Sequence, residues 1–392
     1  MVTSLLFYYA LFAITMIYGA VLVYLSRGFI LLKKQTKTED LPRISVVVCA
    51  HNEEKNLPDG IRLLAAQDYP EERIEFILVN DRSTDRTGEL IARAAQHDRR
   101  FRYLTITDRS PEMAPKKRAI DAAIRMAKGD IILLTDADGR PGKNWARTMA
   151  SYFTPDTHMV IGYAPYQVKP ANHHINRLLA LEYLSHACVG AATTGLGFPV
   201  TCVGTNMAYR KSLYLEIGGF GEYKNFISGD DDLFLTRVRE AKKYRIKYAT
   251  DADSHVYNNP PQLWSKFLHQ RVRYASKGLS YPLKVTAVLL VYYLYNLGLA
   301  AGAALSGFFP VFWPMFLFIL GSKALAEFHF MRRGAETLHD TRHLIYFPIA
   351  FVLHPFYVIL FGFLGQFKRF KWAEQTAESA VQKPVPEQAV QR

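Results

Sequence analysis

The chain contains 392 residues, of which 49% are hydrophobic and 21% charged, with 25 Phe and 23 Tyr. This supply of core-forming side chains excludes an intrinsically disordered chain, and the length predicts two domains or one domain with an extra module. Three cysteines without a C-x-x-C pair exclude a disulfide scaffold. The net charge of +13 suits nucleic acid, anionic lipid or phosphorylated ligands, and does not choose among them.

An uncharged apolar segment at residues 4–25 is long enough to cross a bilayer. No basic residue precedes this segment and it is too long for a signal core, so we expect an uncleaved anchor over residues 1–27. The basic residues that follow it are Arg27, Lys33, Lys34 and Lys37. By the positive-inside rule they place this side in the cytoplasm. The sequence therefore predicts an integral protein of the inner (plasma) membrane.

The sequence pattern of residues 28–282 predicts a cytoplasmic α/β domain. Buried strands are expected at residues 44–49 and 74–79, and further strands at residues 101–106 and 130–134. Helical patterning is expected up to about Ala66, from Asp85 as an N-cap to about Ala95, and over residues 116–128. This alternation predicts a parallel sheet with right-handed crossovers. Ligands of such sheets bind at the carboxyl ends of the strands, so the polar residues there are the first candidates.

Three more apolar segments, near residues 284–305, 308–326 and 343–366, predict a C-terminal membrane region over residues 283–366. Basic residues on both sides of the last segment favour a cytoplasmic position for both of its ends. Four full crossings from an outside N-terminus would instead place the C-terminus outside. Pro355 lies at the centre of that segment, so we expect it to be re-entrant or a broken hairpin. Residues 367–392 are typical of a disordered polar tail.

Polar residues follow three of the predicted strands. They are Asn52 and Glu53 after the first strand, which Ala50 ends, Asp81 after the second, and Asp136 and Asp138 after the fourth. In an extended chain Asp136 and Asp138 would point to the same side. Mg²⁺ commonly takes one or two carboxylates together with phosphate oxygens and water, so this pair predicts a metal–diphosphate site. An acidic turn that caps a helix is the alternative.

The sequence contains neither a G-x-x-x-x-G-K-[ST] loop nor a G-x-G-x-x-G motif after the first strand. A nucleotide would therefore be held by side chains and a metal ion. Lys116, Lys117 and Arg118 open the helix before the fourth strand and could neutralise a diphosphate. A solvated helix start is the alternative for any one of these lysines.

Asp230, Asp231 and Asp232 form a second acidic cluster. Adjacent carboxylates repel one another, so at least one could have a raised pKa and act as a general base. Stabilisation of a helix N-terminus is the alternative. Nearer the membrane, an amphipathic helix near residues 262–280 is expected at the bilayer surface, where ordinary interfacial anchoring is the alternative role.

In this order and between these apolar segments, the motifs resemble the family 2 glycosyltransferases, the inverting membrane enzymes related to cellulose, chitin and hyaluronan synthases. The resemblance covers about residues 40–300. It implies a GT-A-like, mostly parallel sheet with helices on both faces. It also implies that Asp81 lies near the uracil base, that Asp136 contacts the nucleotide, and that Asp138 binds Mg²⁺ or Mn²⁺. The further nucleotide-sugar contacts implied are Ala50, Asn52, Glu53, Lys116 and Lys117.

The resemblance also implies an acceptor side. Gly204 and Asn206 match the acceptor-site segment, and one of Asp230, Asp231 and Asp232 matches the catalytic base, with the register left open. The Q-x-x-R-W motif of processive members is present as Gln270, Arg271, Val272, Arg273 and Tyr274, with Tyr in place of Trp. Arg271 or Arg273 would contact phosphate oxygens and Tyr274 would stack on the acceptor.

The implied activity is the transfer of a sugar from a nucleotide-diphospho-sugar, with a UDP-linked donor favoured, to a hydroxyl of a glycan or lipid-linked acceptor. Two alternatives stay open: a single-addition glycolipid glycosyltransferase, and a non-catalytic nucleotide-binding membrane scaffold. The basic residues lie largely beside the apolar segments, so we expect contact with membrane lipid and no binding of nucleic acid. The sequence does not identify an export partner.

Overall fold

The computed structural model describes residues 1–107, 112–168, 174–261, 267–268, 271–272, 275, 283–367, 371–372 and 375–376. The chain divides into two compact units. The first, called the sheet unit here, contains Leu22–Pro260 and His329–Ile345. The second, called the helix unit, contains the described parts of Met1–Val21, Pro261–Phe328 and Tyr346–Arg392.

The sheet unit is built around a seven-stranded sheet. The strands of the unit are β1 (Ile44–Ala50), β2 (Ile74–Asp81), β3 (Phe101–Ile106), β4 (Ile131–Asp136), β5 (Arg140–Pro141), β6 (Thr157–Gly162), β7 (Met207–Arg210), β8 (Arg245–Ala249) and β9 (Val256–Tyr257). The sheet order is β3-β2-β1-β4-β7-β6-β8, and β5 pairs separately with β9. Only β7 runs antiparallel to its neighbours in the large sheet. The predicted mostly parallel sheet is confirmed.

Helices of the sheet unit cover both faces of this sheet. They are α2 (Leu57–Ala65), α3 (Thr87–His97), α4 (Pro115–Met126), α5 (Trp145–Ser151), α6 (His174–Gly195), α7 (Lys211–Glu216) and α8 (Asp232–Glu240). On one face, Val46 and Val48 share a buried cluster with Leu64 of α2 and Met149 of α5. The alternate residue Val47 is also buried and faces the other way. On that side α4 packs on β1 and β2.

The predicted strands agree with the observed ones to within two residues at each end. The first turn of α3 differs from the prediction. The helix begins at Thr87, so the N-cap position belongs to Arg86 and not to Asp85. Asp85 still supports the helix start, because its Oδ1 accepts the Thr87 N–H at 3.0 Å.

Four segments of the described chain are long and apolar enough to cross a membrane, namely Val2–Leu32, Val285–Phe308, Pro310–Thr337 and Thr341–Gln366. Their α-helices are α1 (Val2–Leu32), α9 (Leu283–Phe308), α10 (Trp313–Thr337) and α11 (Phe347–Phe367). The predicted break in the last segment is wrong, because α11 continues through Pro355. A proline removes one backbone donor, and an apolar helix can tolerate that loss without a hairpin. Within the predicted polar tail, Lys371–Trp372 pairs with Gln375–Thr376.

The end of α1 packs closely on α6 within the sheet unit. A side chain at Gly28 would overlap the backbone of Ala192, and one at Gly195 would overlap the backbone of Gly28. The Phe29 ring also lies 5.3 Å from the ring of Phe330 near the end of α10. The last turns of two apolar helices therefore belong to the same compact body as the sheet.

Candidate active site

The loops that follow β1 and β2 are joined by hydrogen bonds. Ala50 is the last residue of β1, and Asn52 beyond it has a left-handed backbone with φ of 57°. Asn52 Oδ1 accepts the Thr84 N–H at 2.8 Å. The N–H of Glu53 donates to Thr87 Oγ1 at 2.8 Å. The predicted donor-side residues of β1 therefore lie on a rim that is cross-linked to the β2 loop.

Asp81 is the buried last residue of β2, and its carboxylate is paired with two guanidinium groups. Arg82 donates through Nε to Oδ1 at 2.8 Å and through Nη2 to Oδ2 at 3.1 Å. Arg118 Nη2 lies 3.7 Å from Oδ1. Sequence reasoning placed Asp81 at the strand end but missed both pairings. Arg118 pairs with Asp81 in this structure, and its predicted contact with a diphosphate stays a prediction.

The D-x-D pair does not lie in an extended chain. Asp136 ends β4, and the Gly139 N–H donates to the Asp136 carbonyl at 2.9 Å, which closes a turn around Asp138. Burial, together with the charges of Asp136 and Glu53, raises the pKa of Asp138 to about 6. The predicted extended geometry is therefore wrong, although the negative charges do converge.

These carboxylates fit a hard divalent cation. Burial and the charges of Asp136 and Glu53 disfavour the ionised form of Asp138, and a bound cation would favour it. Among the described residues, no group of three or more His, Cys, Asp or Glu side chains could hold a metal by itself. Two carboxylates completed by phosphate oxygens and water are a normal set for Mg²⁺. The residues thus fit a metal that arrives with a diphosphate.

Lys116 and Lys117 are adjacent in sequence but face different surroundings. Lys116 Nζ lies 2.9 Å from an oxygen of Asp136 and 2.9 Å from an oxygen of Asp230. Lys117 is 1% exposed, and its Nζ donates to three backbone carbonyls between Tyr223 and Ser228 at 2.6 to 3.1 Å. Lys116 therefore links the two acidic clusters, whereas Lys117 holds a loop. The contacts of Lys117 depart from its predicted contact with the nucleotide.

Charge balance keeps the Lys116 bridge ionised. Burial alone would lower the pKa of Lys116, but Asp136 and Asp230 raise it well above its usual value. Burial alone would raise the pKa of Asp230, but Lys116 lowers it. Asp230 is therefore a charged partner of Lys116.

The three aspartates of the second cluster have three different environments. Asp231 precedes α8, and its Oδ1 accepts the Asp232 N–H at 2.7 Å. Asp231 Oδ2 accepts the Gly204 N–H at 3.1 Å. Asp232 is the first residue of α8, and its Oδ1 accepts the N–H of Leu233 at 2.9 Å. Helix capping, the alternative role for this cluster, is thus observed for Asp231.

Gly204–Asn206 form a 3₁₀ turn, which we call the acceptor turn. The Thr205 hydroxyl donates to Asp136 Oδ2. Asn206 is fully buried; its Oδ1 accepts Trp145 Nε1–H at 3.0 Å, and its Nδ2 donates to the Tyr163 carbonyl at 2.7 Å. The turn therefore contacts both acidic clusters. Sequence reasoning missed Thr205, and its position between Gly204 and Asn206 was the only available signal.

Of the motif at residues 270–274, the structure describes Arg271 and Val272, and both are buried. The Arg271 guanidinium lies 5.1 Å from the centre of the Phe267 ring. Gln270, Arg273 and Tyr274 lie outside the described residues. The predicted phosphate and acceptor contacts of this motif therefore stay predictions.

The strand-end aspartates, the D-x-D turn and the acceptor turn all lie within a region that matches a known family. Residues 45–218 match the family model described as Glycosyl transferase family 2. We call these matched residues the family 2 domain. This domain begins one residue into β1 and ends beyond α7. It therefore includes the D-x-D turn and the acceptor turn, while Asp230–Asp232 follow it.

Curated relatives extend the match beyond the family 2 domain. "Probable glycosyltransferase YdaM" of Bacillus subtilis (strain 168) is 25% identical over 293 residues, which are 74% of this chain and 66% of the relative. A "Poly-beta-1,6-N-acetyl-D-glucosamine synthase" of Staphylococcus aureus (strain COL) is 25% identical over 278 residues, which are 70% of this chain and 64% of the relative. The chain spans slightly less than two thirds of the length of these relatives.

A solved structure shares the fold. The mannosyltransferase PcManGT of Pyrobaculum calidifontis, in complex with GDP-Man and Mn²⁺, matches 91% of this chain and 98% of its own. The TM-score is 0.55 at 20% sequence identity. The family 2 domain of this chain therefore has a GT-A-like fold.

Proposed function

We propose that this protein is a membrane-bound, inverting glycosyltransferase that moves a sugar from a nucleotide-diphospho-sugar to a hydroxyl of a glycan or lipid-linked acceptor. The observation that carries the proposal is the convergence of two acidic clusters. Lys116 joins Asp136 to Asp230 at 2.9 Å on each side, and the acceptor turn joins Asp136 to Asp231. The cluster of Asp136 and Asp138 suits a metal–diphosphate, and the cluster of Asp230–Asp232 can supply a general base. Sugar transfer needs these two functions next to each other.

On the donor side, Asp81 would meet the nucleobase, and we favour uracil. Asp138, with Asp136, would hold Mg²⁺ or Mn²⁺. When bound, such an ion would neutralise the charge that develops on the leaving nucleotide diphosphate. Lys116 would supply a second positive charge from the protein itself. The Mn²⁺ and GDP-Man in the complex of the mannosyltransferase with the same fold support a donor site of this kind.

For the catalytic base we choose Asp231. Two backbone N–H groups orient its carboxylate, and one of them belongs to Gly204 of the acceptor turn. Each carboxylate oxygen has two lone pairs, so these bonds leave acceptor capacity for a sugar hydroxyl. Asp230 is less suitable because Lys116 lowers its pKa and holds it toward Asp136. Asp231 would take the proton of the acceptor hydroxyl. The hydroxyl oxygen would then attack the anomeric carbon from the face opposite the leaving nucleotide diphosphate.

The sheet unit would lie on the cytoplasmic side of the inner membrane. The last turns of α1 and α10 belong to this unit, and both carry basic residues. They are Arg27, Lys33 and Lys34 near the end of α1, and Arg332 and Arg333 in α10. Two helices with basic ends on the same body support one cytoplasmic face for both.

The test is nucleotide release by the purified full chain in lipid, with a panel of UDP- and GDP-sugars. Each donor is offered with Mn²⁺, with Mg²⁺ and with a chelator. We expect release from one donor, lost with chelator and in Asp138→Ala. Asp59→Ala is the matched control, because Asp59 is an exposed carboxylate paired with Arg62 at 3.6 Å.

The same reaction separates the alternatives. A long product would indicate a polymer synthase, whereas one added sugar would indicate a single-addition glycolipid enzyme. If Asp138→Ala kept full activity, the metal assignment would be wrong. If no donor gave release and no nucleotide bound in a metal-dependent way, the catalytic proposal would fail in favour of a scaffold.

A further inference from the structure

Asp340, between α10 and α11, is a buried carboxylate outside the site described above, with 3% of its surface exposed. Its Oδ2 accepts the Tyr163 hydroxyl at 3.0 Å, and its Oδ1 accepts Arg342 Nε–H at 2.8 Å. Burying a charge is costly unless it is paired and hydrogen-bonded. The contact with Tyr163 is therefore a specific tertiary link between this loop and the sheet.

The end of α10 sets the position of Asp340. His339 has a left-handed backbone with φ of 54°, and the Asp340 N–H reaches back to the Ala335 carbonyl at 2.9 Å. This is the hydrogen-bond pattern of a Schellman helix end. Since left-handed backbone is unfavourable for a residue other than glycine, the tertiary contacts must stabilise this turn.

Tyr163 carries the contact into the active site. It follows β6 and is 1% exposed. Burial, together with the charge of Asp340, raises the pKa of Tyr163 well above its usual value, so its hydroxyl stays a donor. The carbonyl of the same residue accepts Asn206 Nδ2–H at 2.7 Å. A bond at one end of Tyr163 therefore constrains the acceptor turn at the other.

The acceptor turn in turn makes a hydrogen bond to each of the two acidic clusters. Gly204 donates its N–H to Asp231 at 3.1 Å, and the Thr205 hydroxyl donates to Asp136. Every residue in this series, from Asp340 to Asp231, lies in the sheet unit. The turn has only three residues, so a shift at Asn206 would be passed to its neighbours.

We propose that Asp340 and Tyr163 are positioning residues for the acceptor turn, and that their hydrogen bond holds Asp231 in the geometry needed for transfer. This inference rests on the proposed glycosyltransferase function. The loop between α10 and α11 would then help to position the catalytic residues. Donor affinity depends mainly on the tips of β1, β2 and β4, so it should be much less sensitive to this bond than the transfer step.

The test uses the full chain in lipid with Tyr163→Phe, Asp340→Ala and the double variant. Two matched controls lose similar groups elsewhere. Tyr69→Phe removes a buried hydroxyl that donates to the Pro42 carbonyl at 2.6 Å. Glu336→Ala removes a carboxylate in α10 that is exposed and pairs with Arg332 at 2.9 Å.

We expect kcat for transfer to fall about 10- to 100-fold in each variant, since misplacement by about an ångström costs that much. The Kd for UDP with Mn²⁺ should change by less than about twofold, which separates transfer from binding. The double variant should be no slower than the slower single variant, because both remove the same bond. The two controls should keep wild-type kcat.

Hydrogen–deuterium exchange provides a readout that does not need activity. Amides of residues 203–207 should exchange faster than in the wild type in both single variants. In both controls they should exchange at the wild-type rate. If wild-type protein transferred no sugar, the proposed function would fail while this measurement still tested the contact. Wild-type kcat and wild-type exchange in both variants would overturn the positioning role. Equal losses of donor affinity, kcat and thermal stability would also overturn it, since they would indicate a general folding defect.

Discussion

The proposed donor half and the proposed acceptor half of the site differ in how their charges are balanced. In the donor half, at the tips of β1, β2 and β4, burial and the charges of Asp136 and Glu53 raise the pKa of Asp138. In the acceptor half, Asp231 accepts backbone N–H groups from the start of α8 and from Gly204. One half has surplus negative charge, whereas the carboxylate of the other is oriented by backbone donors.

The two halves therefore differ in how far the protein alone orients them for the reaction. A site with surplus negative charge gains most from a cation that arrives with its ligand. A carboxylate held by fixed donors is already oriented, so little reorganisation is needed during the reaction. The donor half would thus be completed by metal and nucleotide, and the acceptor half is built by the protein alone. Lys116 and Thr205 connect the two halves.

Loss of the base should have the largest effect on the acceptor half. Asp231→Asn keeps the shape of the side chain but removes its basicity. We expect transfer to slow by about 10²- to 10⁴-fold, the usual contribution of a general base. Binding of UDP with Mn²⁺ should be retained and is measured by calorimetry. Asp232→Asn is the matched control; if that variant or Asp230→Asn lost more activity than Asp231→Asn, the base would be misassigned.

The two adjacent lysines test the connection between the halves. Lys116→Met removes the positive charge between Asp136 and Asp230, so donor affinity should fall about tenfold or more, as for a lost charge-assisted hydrogen bond. Lys117→Met leaves three backbone carbonyls without their donor. The free energy of unfolding should therefore fall by about 1–3 kcal/mol. Donor titration and chemical unfolding of both variants measure these effects, and the reverse pattern would contradict the assignment.

The smallest expected effect concerns the charge of the donor half. The folded-state pKa of Asp138 is about 6, above its ordinary value of about 4. The folded protein therefore binds this proton more tightly than the unfolded chain. The resulting stabilisation is fully present below about pH 4 and is lost as the pH rises through about 6.

It follows that Asp138→Asn should raise the melting temperature of the metal-free protein at neutral pH by about 2–4 °C. The gain should disappear in acid, where wild-type Asp138 is already neutral. Thermal unfolding with chelator at several pH values measures this, and Asp59→Asn is the exposed control. A lower melting temperature at neutral pH in Asp138→Asn would show that the carboxylate is stabilised in the metal-free site.

Local patterns predicted the framework well. Runs rich in β-branched and other apolar residues placed β1, β2 and β4, because strands buried on both faces need apolar residues at nearly every position. The alternation with helices then predicted which strand ends carry the site. Two local errors have physical reasons: Asp136 and Asp138 follow a strand that has already ended, and α11 continues through Pro355. In both places, a local residue pattern does not by itself decide the backbone conformation.

By itself the sequence determined the strand order along the chain, the apolar helices and the acidic groups at the strand ends, since these depend on hydrophobic patterning and on composition. The tertiary structure alone decided which lysine joins the acidic clusters, which aspartate faces the acceptor turn, and that Asp340 reaches Tyr163. These contacts join residues far apart in the chain. Adjacent lysines have the same local pattern, but they point in different directions from a helix, so only the packing around each one separates their roles.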